Sequence, residues 1–239
     1  MSNWSHVGSA SNAVGTGSTS VAVTTGWTVA VGDLLVVTLA QYNGSFSGLT
    51  LSDSGSNTWT HQADQKSSVP QYGSIWTSVV TTGGTLTVTL AATTAAFLTL
   101  DVEGFRLASG TPAAAESIVS ATGDSTSASP GAITPTGTDL LVSAVIYSVA
   151  VSPAAAATVS SPWNLSSSQV YIAGKADLAF AYMLDQTSAQ TPTFAIGGGS
   201  ADYWSSIGLG IPVTLPSPTA SPVAKWCPQI GWNRRHRIG

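Results

Sequence analysis

Side chains that could move protons at neutral pH are few in this sequence. The three histidines are His6, His61 and His236, and a hydrolytic triad would need one of them beside a nucleophile and an acid. The G-x-S-x-G turn that presents a catalytic serine does not occur. Because the many serines reflect a composition rich in small residues, we expect no catalytic residue and no enzyme activity.

Metal and acid-base sites are equally poorly supported. The turn DSGSN, residues 53–57, offers oxygen atoms but one carboxylate, and an Asx-type turn explains it as well as a calcium loop does. Cys227 and His236 alone cannot supply the four ligands of a structural zinc site. Asp101 and Glu103 would lie about 7 Å apart on one strand face, which suits a glycosidase but also an ordinary solvent-facing strand. We therefore expect no metal and no cofactor.

Aromatic side chains give a binding interpretation. They could stack on sugars in a pocket that has a few polar groups, and Trp59 and Trp163 occupy matching places that also suit a repeated packing role. Carbohydrate binding therefore stays open as an alternative. The residues concerned are Trp27, Trp59, Trp76, Trp163, Trp204, Tyr42, Tyr72, Tyr171, Tyr182 and Tyr203.

The C-terminal segment KWCPQIGWNRRHRIG, residues 225–239, differs from everything before it. It holds four of the seven basic residues and two of the eight tryptophans, whereas residues 1–224 hold all eleven acids and three bases. Surface ion pairs contribute only about 0–1 kcal/mol each, but aromatic anchors can add about 2 kcal/mol apiece. We predict a docking peptide for a protein partner, carried by Lys225, Trp226, Ile230, Trp232, Arg234, Arg235, Arg237 and Ile238.

Other partners fit this segment less well. A polyanion would be repelled by the acidic body, and the tail is too short for many phosphate contacts, so we expect no nucleic acid. A membrane would need a longer amphipathic surface. The alternatives to docking are a tail that packs on its own body and one that is disordered.

The elements that would carry these residues are β-strands. TLTVTL at 85–90 and FLTLDVEGF at 97–105 alternate with period two, which predicts half-buried strands, whereas DLLVVTLAQY at 33–42 is apolar on both faces, as a covered central strand is. Threonine and valine favour strands, and a single cysteine excludes a disulfide scaffold. No apolar run reaches 18 residues, and the N-terminus lacks the pattern of a signal peptide.

Internal echoes divide the chain into two similar halves of about 105 residues. GDLLVV at 32–37 returns as TDLLVS at 138–143, and TLTVTL at 85–90 returns as TPTFAI at 191–196. We predict a jelly-roll-like β-sandwich, as one double-sheet body rather than two tandem sandwiches. The predicted boundaries are an N-terminal arm at 1–16, a body at 17–215 with pseudo-repeats at 17–110 and 123–215, a Pro-rich linker at 216–224 and the docking tail at 225–239.

The succession GDLLVV, DSGSNTW, TLTVTL and LDVEGF resembles β-sandwich structural proteins of tailed bacteriophages, found among head decoration and tail surface proteins. The resemblance covers about residues 1–215. It implies a non-enzymatic virion protein on the particle surface, repeated as a homo-oligomer or symmetric array, and we expect the tail to bind the major capsid protein or another virion protein. The alternative is a carbohydrate-binding or adhesin module of a phage tail or bacterial surface, with a host glycan as its partner.

Overall fold

The computed structural model describes residues 3–148, 157–166, 175–196 and 203–215. This part of the chain is all-β and contains no helix. Its sixteen strands are β1 (Trp4–Thr24), β2 (Leu34–Tyr42), β3 (Thr50–Asp53), β4 (Thr60–Lys66), β5 (Gln71–Val79), β6 (Thr87–Leu107), β7 (Thr111–Pro112), β8 (Glu116–Gly123), β9 (Ser127–Ala128), β10 (Asp139–Ser148), β11 (Thr158–Val159), β12 (Asn164–Leu165), β13 (Asp177–Gln186), β14 (Phe194–Ala195), β15 (Tyr203–Ile211) and β16 (Val213–Thr214).

Two main sheets carry most of these strands. Sheet I has the order β1-β6-β2-β5-β4, with β3 paired to the first part of β6, and sheet II has the order β12-β13-β10-β15-β8. A three-stranded sheet, β11-β14-β9, and a two-stranded sheet, β16-β7, complete the described strands. All pairings are antiparallel. The predicted β-sandwich class is therefore correct, and the jelly-roll detail stays a prediction.

The two main sheets have the same internal order. Read from opposite ends, β1-β6-β2-β5-β4 corresponds to β8-β15-β10-β13-β12. The small sheet repeats this correspondence. Its strands β9, β14 and β11 match, in that order, the C-terminal end of β1, the N-terminal end of β6 and strand β3. Segments that echo each other in the sequence therefore occupy equivalent places in the fold.

Two of the strand predictions are confirmed in detail. β2 lies between β5 and β6, and its residues from Leu34 to Gln41 are buried on both faces. In TLTVTL the residues Leu86, Val88 and Leu90 are buried, while the threonines between them are not. The alternation of apolar and small polar residues therefore fixes the inward face of this segment.

Sheets I and II pack face to face and share one hydrophobic core. Leu34, Val36 and Phe105 of sheet I meet Leu140 and Phe180 of sheet II in this core. The sheets come so close that a Cβ atom at Gly73 would lie 2.5 Å from Cδ1 of Ile146. Each sheet covers a separate core with its outer face, so the two halves form one body that has three layers of apolar packing.

The prediction of a half-buried strand at 97–105 was wrong. Asp101 and Glu103 were expected to face water, but both are fully buried, because sheet II covers the face of sheet I from which they project. Period-two alternation distinguishes two faces of a strand and does not say whether the polar face meets solvent or a second sheet. The pair is thus an internal feature of the body.

The segment expected as an N-terminal arm enters sheet I from Trp4 onward. Residues 4–14 pair with 98–107 of β6, and the indole of Trp4 is 1% exposed in the shared core. Asp185 of β13 accepts hydrogen bonds from the backbone N–H groups of Asn3 and Trp4 at 3.0–3.1 Å. Asn3 and Trp4 are therefore held between the two halves.

Candidate functional site

The docking residues predicted from the sequence lie outside the described residues, as do the linker at 216–224 and His236. Their role stays a prediction. These residues are Lys225, Trp226, Ile230, Trp232, Arg234, Arg235, Arg237 and Ile238.

An aromatic groove opens on the first half of the body. Its larger part has a volume of about 490 Å³ and lies between β3, the turn that follows it, and the rings of Trp59 and Trp76. A smaller part of about 220 Å³ continues across Trp76 to Phe46 and His61. Leu49 and Trp76 line both parts. Pockets that take small ligands have volumes of about 300–1,000 Å³, so the larger part alone is of suitable size.

The indole of Trp59 is fixed by the turn that follows β3. Its Nε1–H donates to Oδ2 of Asp53 at 2.8 Å, while Oδ1 of Asp53 accepts from the backbone N–H of Gly55 at 2.7 Å and from the amide of Asn57 at 3.0 Å. The Asx-turn interpretation of DSGSN is thus confirmed. The side-chain oxygen Oδ1 of Asn57 in turn accepts hydrogen bonds from the backbone N–H groups of Thr81 and Thr82. The turn and the ring it holds are therefore rigidly placed.

The second ring, Trp76, stands in the middle of β5 and is half-buried. Its Nε1–H donates to the hydroxyl of Ser74 at 2.9 Å. The imidazole of His61 lies beside it, with ring centroids 4.8 Å apart, and His61 Nε2 pairs with Asp64 Oδ1 at 2.8 Å. His61 and Asp64 are exposed on β4, so they form a polar rim beside an aromatic wall.

Negative charge and hydroxyl groups surround the groove. Asp53 and Asp64 are the charged side chains that line it, and the exposed hydroxyls of Thr50, Ser52 and Ser56 line the larger part. Carboxylates disfavour an anionic ligand, and hydroxyls both donate and accept hydrogen bonds. The groove is therefore suited to a ligand that has an apolar face and many hydroxyl groups.

The equivalent place in the second half has no aromatic wall. Trp76 lies opposite Val37 on one neighbouring strand and His61 on the other. Ala181 occupies the same place in sheet II, because it lies opposite Ser143 and Leu165 on the equivalent strands. Ala181 is fully buried, and Trp163, which matches Trp59, is 6% exposed in the core. Both matched tryptophans therefore pack against the core of their own half, and Trp59 differs from Trp163 in that it is only half-buried and also lines the groove.

A buried polar cluster joins the two main sheets. Glu103 accepts hydrogen bonds from the hydroxyl of Ser166 on sheet II and pairs with Nε2 of His6 at 2.7 Å. The ring of His6 stacks on Tyr182 at 4.7 Å. Burial, together with the charge of Glu103, raises the pKa of Tyr182. The carboxylate lies between the histidine and the serine, whereas in a triad the histidine lies between acid and nucleophile.

Two aspartates occupy equivalent positions in the two halves: Asp33 directly precedes β2, and Asp139 is the first residue of β10. The carboxylate of Asp33 accepts a hydrogen bond from the guanidinium of Arg106 at 2.7 Å, whereas Asp139 lies against Glu116. Burial, and then a hydrogen bond with Glu116, raise the pKa of Asp139 to about 6. Burial acts against the ionised form of Glu116 too, but hydrogen bonds from Thr136 and Asp139 lower its pKa overall. The pKa values of these two neighbouring carboxyl groups are therefore shifted in opposite directions.

Other candidate sites receive no support from the described residues. The described residues contain no group of three or more His, Cys, Asp or Glu side chains placed to hold a metal ion. They also contain no helix with the length and apolarity that a membrane crossing requires.

Comparisons with known proteins do not place the chain in a family. No family model, no curated protein and no solved structure matches it. The functional argument therefore rests on the residues described above.

Proposed function

We propose that this chain is a non-enzymatic structural protein of a tailed bacteriophage particle. It is displayed on the outside of the capsid as a decoration or fibre-like protein, and its C-terminal peptide anchors it to the major capsid protein or to another virion protein. Many copies follow the symmetry of the particle. The observation that carries the proposal is the contrast between an acidic body and a basic, tryptophan-containing terminus.

The place where the described body ends supports this arrangement. Val213 and Thr214 of β16 pair with Pro112 and Thr111 of β7, so the residues just before the Pro-rich segment are held in a hydrogen-bonded strand. Leu215, the last residue of this part, is 65% exposed. A Pro-rich tether that starts at a fixed, exposed point lets a terminal peptide dock while the body stays outside the shell.

The content of purified particles tests the proposal. We expect mass spectrometry to find the chain in purified virions of the phage that encodes it, in many copies and at a constant ratio to the major capsid protein. An abundant non-virion protein of the same lysate serves as the control and is removed by purification. A chain that is present in the lysate and absent from the particles would contradict the proposal.

A second function, carbohydrate binding by the body, is favoured by one specific observation. Trp59 and Trp76 form the wall of a groove, and carboxylates and hydroxyls form its rim. This is the composition of a small-ligand pocket, in which apolar rings supply contact area and a few polar groups fix orientation. The two functions are compatible, because a body held to a particle by its tail can present a groove to a host surface.

A further inference from the structure

We propose that the groove around Trp76 is a binding site for a neutral carbohydrate chain. The inference rests on the carbohydrate-binding function proposed above, and it assigns that function to one site and one ligand class. Trp76 is its central contact, Trp59 extends the wall, and His61 with Asp64 form the polar rim on β4.

Both rings are held in place before a ligand arrives. Trp59 donates to Asp53, and Trp76 donates to Ser74, each through Nε1 at 2.8–2.9 Å. The two indole N–H groups are therefore satisfied inside the protein, which leaves the ring faces as the contact surface. Pre-organised aromatic side chains lose little conformational entropy on binding. A flat apolar surface of this kind matches the C–H face of a pyranose ring.

The rim disfavours an anionic ligand. Asp53 and Asp64 bring negative charge to the groove, so phosphate, sulfate or uronate groups would be repelled. A nearby cation, Lys66, lies over the ring of Tyr72 at 5.1 Å and does not line the groove. Carboxylates accept hydrogen bonds from hydroxyl donors, and sugar hydroxyls are such donors. A neutral oligosaccharide satisfies both the wall and the rim.

The groove is not a requirement of the fold. Sheet II has the same strand order as sheet I, and it has Ala181 where sheet I has Trp76 and Leu165 where sheet I has His61. The strand pairing of sheet I therefore does not require a tryptophan at this position, although the buried part of Trp76 packs against the core of the first half. The part of its ring that remains exposed in the groove points to contact with something outside the chain.

The test uses the full-length chain and a panel of neutral oligosaccharides, namely cello-, xylo-, manno- and malto-oligosaccharides, with sulfated and uronic acid oligosaccharides as the anionic arm. Binding is followed by tryptophan fluorescence and by calorimetry. We expect at least one neutral oligosaccharide to bind, and Trp76→Ala to weaken its binding by about tenfold or more, as truncation of an aromatic anchor does.

Three variants make the result specific. Asp64→Asn and His61→Ala change exposed residues of β4 and are expected to fold normally, so they report on the rim even where Trp76→Ala lowers the melting temperature. Tyr203→Ala removes a 41% exposed aromatic ring of the second half and is the matched control. We expect the first two to weaken binding several-fold and Tyr203→Ala to leave the Kd unchanged.

The outcomes separate the site from the function. A neutral oligosaccharide that binds with unchanged Kd to Trp76→Ala, His61→Ala and Asp64→Asn overturns the site and leaves carbohydrate binding by another part of the chain. A chain that binds none of the neutral oligosaccharides overturns both. Binding of the sulfated or uronic acid oligosaccharides alone overturns the proposed ligand class, because the carboxylates of the rim would then not exclude anionic ligands.

Discussion

Asp139 and Asp33 occupy equivalent positions in the two halves, but their carboxyl groups have different neighbours. Asp33 is paired with Arg106, whose side chain reaches it from β6 with two contacts of 2.7 Å. Asp139 instead meets Glu116, and the backbone N–H of Thr136 donates to both carboxyl groups. A like-charge pair in a buried place favours retention of one proton.

This difference predicts a pH-dependent contribution to stability. The pKa of Asp139 is raised to about 6 in the folded protein, so the folded state binds the proton more tightly than the unfolded state. Its contribution is therefore present at low pH and is lost as the pH rises through about 6. We expect Asp139→Asn, which removes the charge, to gain about 1–3 kcal/mol of stability relative to the wild type as the pH rises from 4.5 to 7.5.

Urea unfolding of the two proteins across this pH range measures the effect. Asp124→Asn changes an exposed acid in the same half and is the matched control, for which we expect a smaller change with pH. A stability difference between Asp139→Asn and the wild type that stays constant from pH 4.5 to 7.5 would contradict a raised pKa of Asp139 in the folded protein.

Single residues also show what the sequence could and could not indicate about the groove. Trp59 and Trp76 are two of the ten aromatic residues that could stack on sugars, and the sequence does not distinguish these two from the other eight. The choice depends on β4 and β5 lying side by side, which brings His61 against Trp76, and on the turn of Asp53 holding Trp59. A contact between residues fifteen positions apart depends on strand register, which alternation does not encode.

At the scale of elements, the clearest contrast is between β2 and β1. β2 was predictable because an apolar run on both faces has few interpretations other than a covered central strand. β1 was not, since its first half is rich in Ser, Gly, Ala and Asn and lacks a clear alternation. It forms because β6 is twenty-one residues long and offers a continuous edge for pairing. Tertiary context here outweighs local propensity.

β1 has one large anchor, and this predicts the effect of removing it. Trp4 is 1% exposed in the core shared by the two main sheets, so Trp4→Ala leaves a cavity where the halves meet. We expect the free energy of unfolding to fall by about 3–5 kcal/mol, the usual cost of such a truncation, measured by chemical denaturation. Ser5→Ala, at the next, exposed position of the strand, is the control. A loss below about 1 kcal/mol for Trp4→Ala would show that the N-terminal strand is not anchored there.

β6 shows why a correct strand can be given the wrong environment. The segment 97–105 is a strand, as expected, but Asp101 and Glu103 face sheet II and not water. A sequence shows that one face of a strand is polar, whereas the covering sheet is built from strands of the second half of the chain, between Glu116 and Ile211. Ser166 and His6 supply the hydrogen-bonding partners that make burial of Glu103 acceptable.

The whole molecule joins two equivalent halves through polar contacts as well as a core. Thr99 of sheet I donates to the backbone oxygen of Ala176 at 2.7 Å in a buried position, and Lys175 lies over the ring of Tyr42 at 4.8 Å. The two halves therefore pack as one body, and the choice between one double-sheet sandwich and two tandem sandwiches stays a prediction. Such a body can present one face outward while the end of the chain that follows Leu215 binds elsewhere.

We propose that the C-terminal peptide anchors this body to a phage particle. The most direct test of this claim is rebinding of the full-length chain, and of a Trp226→Ala, Trp232→Ala double variant, to particles stripped of the protein, followed by co-sedimentation. Trp59→Ala, which changes a tryptophan of the body, is the matched control. We expect the wild type and Trp59→Ala to rebind equally and the tail variant to lose most of its binding, because buried tryptophans carry much of an interface. Equal rebinding of all three proteins would contradict the claim.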